Sequence, residues 1–304
     1  MKKLVSLMLA VVLAASFASC QRAPEAPEAP EESVSYESAK VSFLGPTGTY
    51  TQEACEKFFN SEGTYLPYET VPEAVDALVN GATDYAVIPQ ENTIGGAVVD
   101  YVDTVIAQTS VSVVGEVELP INQNLLVLPG TSLSDIKTVY SHKQGIAQGK
   151  EWLAQNLPDA EVIEVSSTAE GAKMISESRD PSCAAIASAG CADVYGLEIL
   201  AKNIQNNDMN KTRFYVLSLA EPSVKNADRI AFIAKGKAAD LPSLMANIKS
   251  ENATLVTVHD RPLKTELGEY YYLIECADLS YGAYERITGN SGLEIRFLGS
   301  FKVV

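Results

Sequence analysis

Residues 111–128, VSVVGEVELPINQNLLVL, form two apolar runs separated by a short polar break. Runs of this composition predict two long strands placed back to back. On either side of them, short apolar segments alternate with amphipathic helices, over residues 40–107 and again over residues 138–187. This alternation predicts an α/β fold with largely parallel sheets. The long strands between the two alternating regions predict a crossover joining two lobes, with a cleft between the lobes.

A smaller unit follows the polar stretch at residues 221–228. Its pattern predicts a strand, a helix and three further strands, at residues 229–234, 241–249, 255–259, 270–275 and 294–298. This order fits a small α+β sandwich.

The N-terminus has a different composition from the rest of the chain. Lys2 and Lys3 precede an apolar run at residues 4–17, and Ala-Ser-Cys follows at residues 18–20. This order is typical of a secretory signal peptide, and the final cysteine is typical of a lipoprotein signal. Cys20 would then become the lipidated N-terminus. An ordinary signal peptide cut nearby would leave Cys20 without a role.

The segment at residues 21–38, QRAPEAPEAPEESVSYES, is rich in proline and glutamate and has little to bury. It predicts an extended, solvated tether. We therefore expect a signal peptide at residues 1–19 and a lipidated cysteine with its tether at residues 20–39. The protein is expected to be extracytoplasmic, in the periplasm or on the cell surface, with the lipid anchor as its only membrane contact.

Charge and cysteine usage narrow the possible partners. The chain has 39 acidic and 23 basic residues, a formal charge of −16, which disfavours nucleic acid and anionic membrane surfaces as partners. Beyond Cys20, no two cysteines have metal-ligand spacing, and the chain contains only 2 histidines. A metal site is therefore not expected. An exported compartment permits disulfides, but buried free thiols are expected at Cys55, Cys183, Cys191 and Cys276.

Short motifs occur in a fixed order along residues 41–217. They are VSFLGPTGTYT at 41–51, VIPQENT at 87–93, GGAV at 95–98, VYSHKQGIAQ at 139–148, STAE at 167–170, YGL at 195–197 and NKTRF at 210–214. Each motif is weak alone, whereas the ordered set resembles the prephenate dehydratase family. The C-terminal unit resembles the ACT domain usually appended to these enzymes, through DRP at 260–262 and LGEY at 267–270.

The resemblance implies a bilobal catalytic domain at residues 40–220, similar to a type II periplasmic-binding-protein fold, and an ACT-like regulatory domain at residues 228–304. It also implies conversion of prephenate to phenylpyruvate, water and carbon dioxide, with no cofactor, by a homodimer or homotetramer. Two alternatives stay open. Arogenate, which carries an amine in place of the ketone, would serve as well as prephenate. A non-catalytic solute-binding lipoprotein could use the same fold and anchor.

By the same resemblance, Thr212 is expected to act at the departing hydroxyl of the substrate. A threonine hydroxyl can donate one hydrogen bond there, so positioning and electrostatics must supply much of the acceleration. Asn92, Ser141 and Gln148 are expected to bind the substrate carboxylates as neutral donors.

Two charged residues next to these motifs are also candidates for substrate binding. Arg213 could clamp a carboxylate with two hydrogen bonds, although in a regular strand it faces away from Thr212. Glu91 is expected to orient its neighbours rather than to act as an acid. His142 is expected to be structural.

In the C-terminal unit, the resemblance makes Arg261, Pro262, Gly268 and Glu269 candidate effector-binding residues. The GAL segment that precedes the first helix in ACT domains is replaced by Ala-Asp-Leu at residues 239–241. We therefore expect phenylalanine to bind weakly there, if it binds. Three further positions depart from the family pattern in the catalytic domain and leave room for lost activity: Gln90, Gln123 and Lys143.

Overall fold

The computed structural model describes residues 35–304 with the exception of Asn226. The predicted signal peptide, Cys20 and most of the predicted tether lie outside the described residues. Within the described part, no helix has the length and apolar character needed to cross a membrane.

The first lobe is built from the N-terminal alternation of strands and helices. Its elements are β1 (Lys40–Leu44), α1 (Tyr50–Phe58), β2 (Thr64–Tyr68), α2 (Val71–Val79), β3 (Tyr85–Asn92), β4 (Gly96–Ala97), α3 (Val99–Ala107) and β5 (Ser112–Pro120). Strand β1 pairs in parallel with both β2 and β3, as crossover helices on a sheet require.

The chain then crosses to the second lobe and returns by a long strand. The elements are β6 (Asn124–Val127), β7 (Thr138–Ser141), α4 (Lys143–Asn156), β8 (Glu161–Glu164), α5 (Thr168–Ser178), β9 (Cys183–Ala187), α6 (Gly190–Tyr195), β10 (Glu198–Ala201) and β11 (Lys211–Ser218). Strands β6 to β10 form a sheet of their own in the order β10-β6-β9-β7-β8. Strand β11 inserts antiparallel between β3 and β5 of the first lobe. The predicted α/β fold with two lobes is confirmed.

The C-terminal unit, residues 229–304, contains one helix more than its sequence pattern predicted. Its elements are β12 (Arg229–Lys237), α7 (Leu241–Ser250), β13 (Thr254–Pro262), β14 (Glu269–Ala277), α8 (Tyr281–Gly289) and β15 (Glu294–Val303). Helix α8 contains Gly282, Gly289 and Thr288, which are poor helix formers, so its periodicity is weak. Its start is fixed instead by the Ser280 side chain, which accepts a hydrogen bond from the Ala283 amide.

The sheet of the C-terminal unit continues into the first lobe. Strand β15 pairs with β12 and then, in parallel, with β5, where Lys302 lies opposite Gly115. The combined order is β13-β14-β12-β15-β5-β11-β3-β1-β2. At this junction a Cβ added to Gly299 would lie 2.3 Å from the carbonyl oxygen of Val113, and Gly299 has a φ of +151°. Only glycine allows the two backbones to approach this closely.

Two arginines of the C-terminal unit hold helix α3 of the first lobe. The guanidinium of Arg261 pairs with Asp103, with one N–O distance of 2.8 Å. The guanidinium of Arg296 donates to the carbonyl oxygens of Val105 and Gln108, at the C-terminal end of α3. A cation is stabilising at this end because helix carbonyls there lack intrahelical partners. The other end of α3 borders the cleft between the lobes.

Candidate active site

A cleft of about 470 Å³ lies between the two lobes. The first lobe contributes Thr49, Asn92, Thr212 and the loop at residues 95–98. From the second lobe, the cleft is lined mainly by polar residues: His142, Gln144, Gln148, Ser166, Ser167 and Thr168. A pocket between lobes with a few convergent polar groups is the usual place for a small-molecule site.

Thr212 and Asn92 lie opposite each other on the antiparallel strands β11 and β3. The Asn92 Oδ1 atom accepts hydrogen bonds from the amides of Ile94 and Gly95, at 3.0 and 2.9 Å. These two donors fix the amide orientation, so its Nδ2 atom donates to Thr212 Oγ1 at 2.9 Å. Because the hydroxyl oxygen is an acceptor in this contact, its own proton is free to donate elsewhere. Thr212 lines the cleft, and that proton can point into it.

Four helices begin at the cleft. The N-cap residues of α1, α3, α4 and α5, which are Thr49, Val98, His142 and Ser167, all line it. In the described structure, neither Thr49 nor Val98 caps its helix with a side chain, so first-turn amides of α1 and α3 remain available. Among the described lining residues, none is lysine or arginine. Helix N-termini favour anions, so the cleft suits an anionic ligand in spite of the acidic chain.

Gln148, expected from the sequence to bind a substrate carboxylate, lines the cleft and is paired with Gln123. The Gln123 Nε2 atom donates to Gln148 Oε1 at 2.9 Å. Gln123 is buried and also lines the cleft, and its Oε1 atom has no hydrogen-bond partner among the described residues. A buried polar atom without a partner is costly unless a ligand or water supplies one.

Ser141 does not line the cleft, in contrast to its predicted role as a substrate donor. It is the last residue of β7, fully buried, and its hydroxyl donates to the carbonyl oxygen of Ile186 at 2.7 Å. Gly145 covers it, since a Cβ on Gly145 would lie 2.5 Å from Ser141 Oγ. Ser141 therefore supports the backbone beneath the cleft. His142, expected to be structural, caps α4 by accepting from the Gln144 amide at 3.3 Å and also lines the cleft.

Arg213 and Glu91 lie on the opposite side of the sheet from the cleft. The Arg213 guanidinium is 2.7 Å from Glu91, 2.8 Å from Glu275 and 3.4 Å from Glu116. We call these four residues the ion cluster. Arg213 is therefore not placed to clamp a substrate carboxylate, because side chains alternate along β11 and its charge is already paired. Glu91 pairs with Arg213 and does not reach the substrate cleft.

Sequence reasoning missed two members of the ion cluster, Glu116 of β5 and Glu275 of β14. Both are fully buried. Tyr215 donates its hydroxyl proton to Glu275 at 2.7 Å. The available signal was a glutamate in the middle of each apolar strand, in VVGEV and LIECA, because ionised side chains are seldom buried without partners.

The ion cluster affects the protonation of Glu116. Burial raises its pKa to about 8, the neighbouring Glu275 carboxylate adds to this shift, and Arg213 opposes it. The raised pKa favours the protonated form of Glu116, which relieves its repulsion with the neighbouring Glu275 carboxylate. Glu275 has a second arginine partner, since Arg229 Nε lies 3.3 Å from its Oε1 atom.

The four candidate effector residues occupy β13, β14 and the turn between them, away from the cleft. Arg261 is engaged with Asp103 of α3, and Pro262 ends β13. Gly268 has a φ of +92° in the turn, and the Glu269 carboxylate accepts from the Thr265 hydroxyl at 2.6 Å. The four cysteines of the described chain are buried and free.

Comparison with known proteins agrees with this architecture. The sequence model described as "PDT: Prephenate dehydratase" matches residues 41–222, more than half of the chain. The chain belongs to the prephenate dehydratase family. It is 31% identical over 278 residues to the prephenate dehydratase of Lactococcus lactis, covering 87% of this chain and 98% of that protein.

Two further family members extend the comparison. The bifunctional chorismate mutase/prephenate dehydratase of Neisseria gonorrhoeae is 35% identical over 237 residues, 77% of this chain. The match spans only 65% of that relative's length. The solved prephenate dehydratase from Arthrobacter aurescens, in complex with L-Phe, is 29% identical with a TM-score of 0.75. That match covers 86% of this chain and 90% of the Arthrobacter chain.

The structure accounts for the three departures from the prephenate dehydratase pattern. Gln90 is the extra residue of a bulge in β3, since Arg213 pairs with Glu91 and Phe214 with Pro89. Its Nε2 atom donates to Glu116 at 3.3 Å, in the ion cluster. Gln123 holds Gln148 at the cleft, and Lys143 is an exposed residue in the first turn of α4.

The raised pKa of Glu116 predicts a pH-dependent stability. Between the ordinary value of 4.5 and about 8, the folded state keeps a proton that the unfolded state has lost. The free energy of unfolding should therefore fall as pH rises through this range. Glu116→Gln resembles the protonated form, so it should flatten this dependence and raise Tm at pH 8 by about 2 °C or more. Thermal melts from pH 5 to 8 measure it.

Glu118→Gln is the matched control, because Glu118 lies on the same strand and is partly solvated. It should keep the slope of the wild-type protein. A Glu116→Gln variant with the wild-type slope would show that Glu116 is ionised throughout this range.

Proposed function

We propose that this protein is a prephenate dehydratase that uses Thr212 at the departing hydroxyl. The observation that carries the proposal is the direction of the hydrogen bond from Asn92 to Thr212. It leaves the Thr212 proton as a donor at the wall of an anion-favouring cleft. The L. lactis relative, matched over nearly its whole length, bears the same activity in its name.

The reaction breaks two bonds of the substrate ring. The bond between the ring and its carboxylate breaks, that electron pair aromatises the ring, and the hydroxyl at the opposite ring carbon departs. The hydroxyl needs a proton to leave as water, and a hydrogen bond from Thr212 supplies positive character there in the transition state. Thr212 is a weak acid, so exchange with water restores its proton. Phenylpyruvate, water and carbon dioxide are the products.

The absence of a cation from the described cleft lining suits this reaction. An arginine held against the ring carboxylate would stabilise the ground-state anion and oppose loss of carbon dioxide. Helix N-termini and neutral amides such as Gln148 can bind the carboxylates with partial charges only. The substrate can therefore be held without strong stabilisation of the anion that must disappear.

Arogenate remains a second candidate substrate, and one observation favours it. Gln123 lines the cleft, and its buried Oε1 atom is an acceptor without a hydrogen-bond partner among the described residues. An ammonium group can donate to it, whereas the ketone of prephenate cannot. Assays should therefore compare kcat/KM for both compounds.

Thr212→Val keeps the β-branched shape and removes the hydroxyl. It should lower kcat by about 10²-fold or more with little change in KM, because the lost contact acts in the transition state. Formation of phenylpyruvate from prephenate, followed by absorbance, is the measurement, with phenylalanine formation from arogenate in parallel. Thr212→Ser, which keeps the hydroxyl, should retain more activity.

Normal turnover by Thr212→Val would remove Thr212 from the mechanism and leave the activity standing. A wild-type protein that binds prephenate and turns over neither compound would contradict the dehydratase proposal. It would instead support a solute-binding lipoprotein of the same fold.

We further propose that residues 228–304 form an ACT-like domain that joins copies of the chain into a homodimer or homotetramer. The order β12-α7-β13-β14-α8-β15 supports the first point. For assembly, β13 pairs only with β14 in the described sheet, which leaves an edge for a second copy. Phenylalanine is the ligand to test, because the Arthrobacter relative is described in complex with it.

For this domain we expect weak binding of phenylalanine, since Arg261 is engaged by Asp103. Calorimetric titration should show no saturation below about 1 mM. Light scattering should give the mass of a dimer or tetramer. Tight, saturable binding or a monomeric mass would each contradict the corresponding part of this proposal.

The signal sequence supports the proposal that the protein is an extracytoplasmic lipoprotein anchored at Cys20. Cells fed a fatty-acid analogue should label the wild-type protein and not Cys20→Ala. The two proteins differ only at residue 20, so the comparison isolates the Cys20 thiol. Equal absence of label from both proteins would reject the anchor.

A further inference from the structure

We propose that Glu275, in the C-terminal unit, is a positioning residue for Thr212, so that the catalytic cleft is complete only when that unit is in place. The inference rests on the proposed role of Thr212. Glu275 contacts the strand that carries Thr212 and does not line the cleft itself.

Glu275 holds β11 at two points on one face of the strand. Its Oε1 atom is 2.8 Å from Arg213 Nη1, and its Oε2 atom accepts the hydroxyl proton of Tyr215 at 2.7 Å. Because side chains alternate along a strand, fixing residues 213 and 215 on one face sets the direction of residues 212 and 214 on the other. Thr212 and Phe214 are both residues of the cleft wall.

A local irregularity makes this anchorage important. The pairing of β11 with β3 shifts register between Arg213 and Phe214, where Gln90 bulges out of β3. A bulge disrupts the regular ladder and bends its strand, so pairing with β3 fixes the neighbouring residues less firmly than a regular ladder would, and on this side β11 relies on side-chain contacts. Its pairing with β5 keeps one register over residues 211–216. Glu275 Oε2 also lies 3.5 Å from the Nε2 atom of Gln90, the bulged residue of β3. Glu275 therefore contacts both strands at the bulge, β3 and β11.

The chemistry of the contact is that of a buried, paired charge. Glu275 is fully buried, and the Arg213 side chain is 12% exposed. Removing the charge of Glu275 leaves Arg213 with Glu91 at 2.7 Å and Glu116 at 3.4 Å. It also removes a carboxylate partner of Arg229, whose Nε atom is 3.3 Å from Glu275. A buried arginine that loses a partner shifts toward the remaining ones. The expected shift moves the β11 backbone beside Thr212.

Glu275→Gln keeps the size of the side chain and an acceptor for Tyr215. It should lower kcat by about 10-fold and leave KM within about 2-fold, because it misplaces a group that acts in the transition state. The matched control is Glu251→Gln, which removes the charge from another arginine pair of the same unit, with Arg286 at 2.6 Å. That pair is remote from β11, and its loss should leave kcat unchanged.

A double-mutant cycle separates positioning from general destabilisation. If Glu275 acts through Thr212, Glu275→Gln should change kcat by less than about 2-fold in a Thr212→Val background. A loss of about 10-fold in both backgrounds, or wild-type kcat in Glu275→Gln alone, would overturn the proposal.

Hydrogen exchange supplies a test that needs no turnover. Backbone amides in residues 211–216 should exchange about 10-fold faster in Glu275→Gln and at the wild-type rate in Glu251→Gln. Unchanged exchange in Glu275→Gln would overturn the positioning role. If the wild-type protein turns over neither substrate, the proposed function fails, and the exchange measurement alone decides whether Glu275 positions this strand.

Discussion

Side chains alternate along a strand, and this constraint decides what each residue of β11 contacts. Thr212 and Phe214 face the cleft, whereas Arg213 and Tyr215 face the C-terminal unit. Residues 212–215 therefore contribute to two environments. One is the cleft, and the other is a buried region on the opposite side of the sheet that contains the carboxylates of Glu116 and Glu275. In the proposed mechanism, the Thr212 hydroxyl is positioned from behind, by charged side chains that do not line the cleft.

The two environments differ in the kind of positive charge that they contain. The arginines near the site are bound to carboxylates or helix carbonyls, as Arg213, Arg261 and Arg296 illustrate. The described cleft lining has helix N-termini instead. Partial charges of backbone dipoles are fixed in place and bind an anion without a counterion that must be desolvated. A decarboxylating site gains from this arrangement because the anion it binds is consumed.

The sequence predicted the parts of the site that depend on local pattern. The motifs located Thr212 and Asn92, and the two-residue period predicted that Arg213 faces away from Thr212. Ser141 could not be placed in this way, because its burial depends on the carbonyl of Ile186, a partner distant in sequence. Glu116 and Glu275 meet only because β15 joins two sheets, a pairing that no short motif records. Helix α8 was missed because glycine and threonine weaken its pattern.

The pairing of β15 with β5 has a consequence for how the polypeptide acquires its structure during synthesis. Gly115 pairs with Lys302, so the whole region of residues 40–220 is synthesised before the partner strand β15 exists. Contacts between such distant segments slow folding, since a long loop must close before they form. Until then β5 is an open edge onto which a neighbouring nascent chain could add. Chaperones that delay compaction would therefore favour the native state over aggregation.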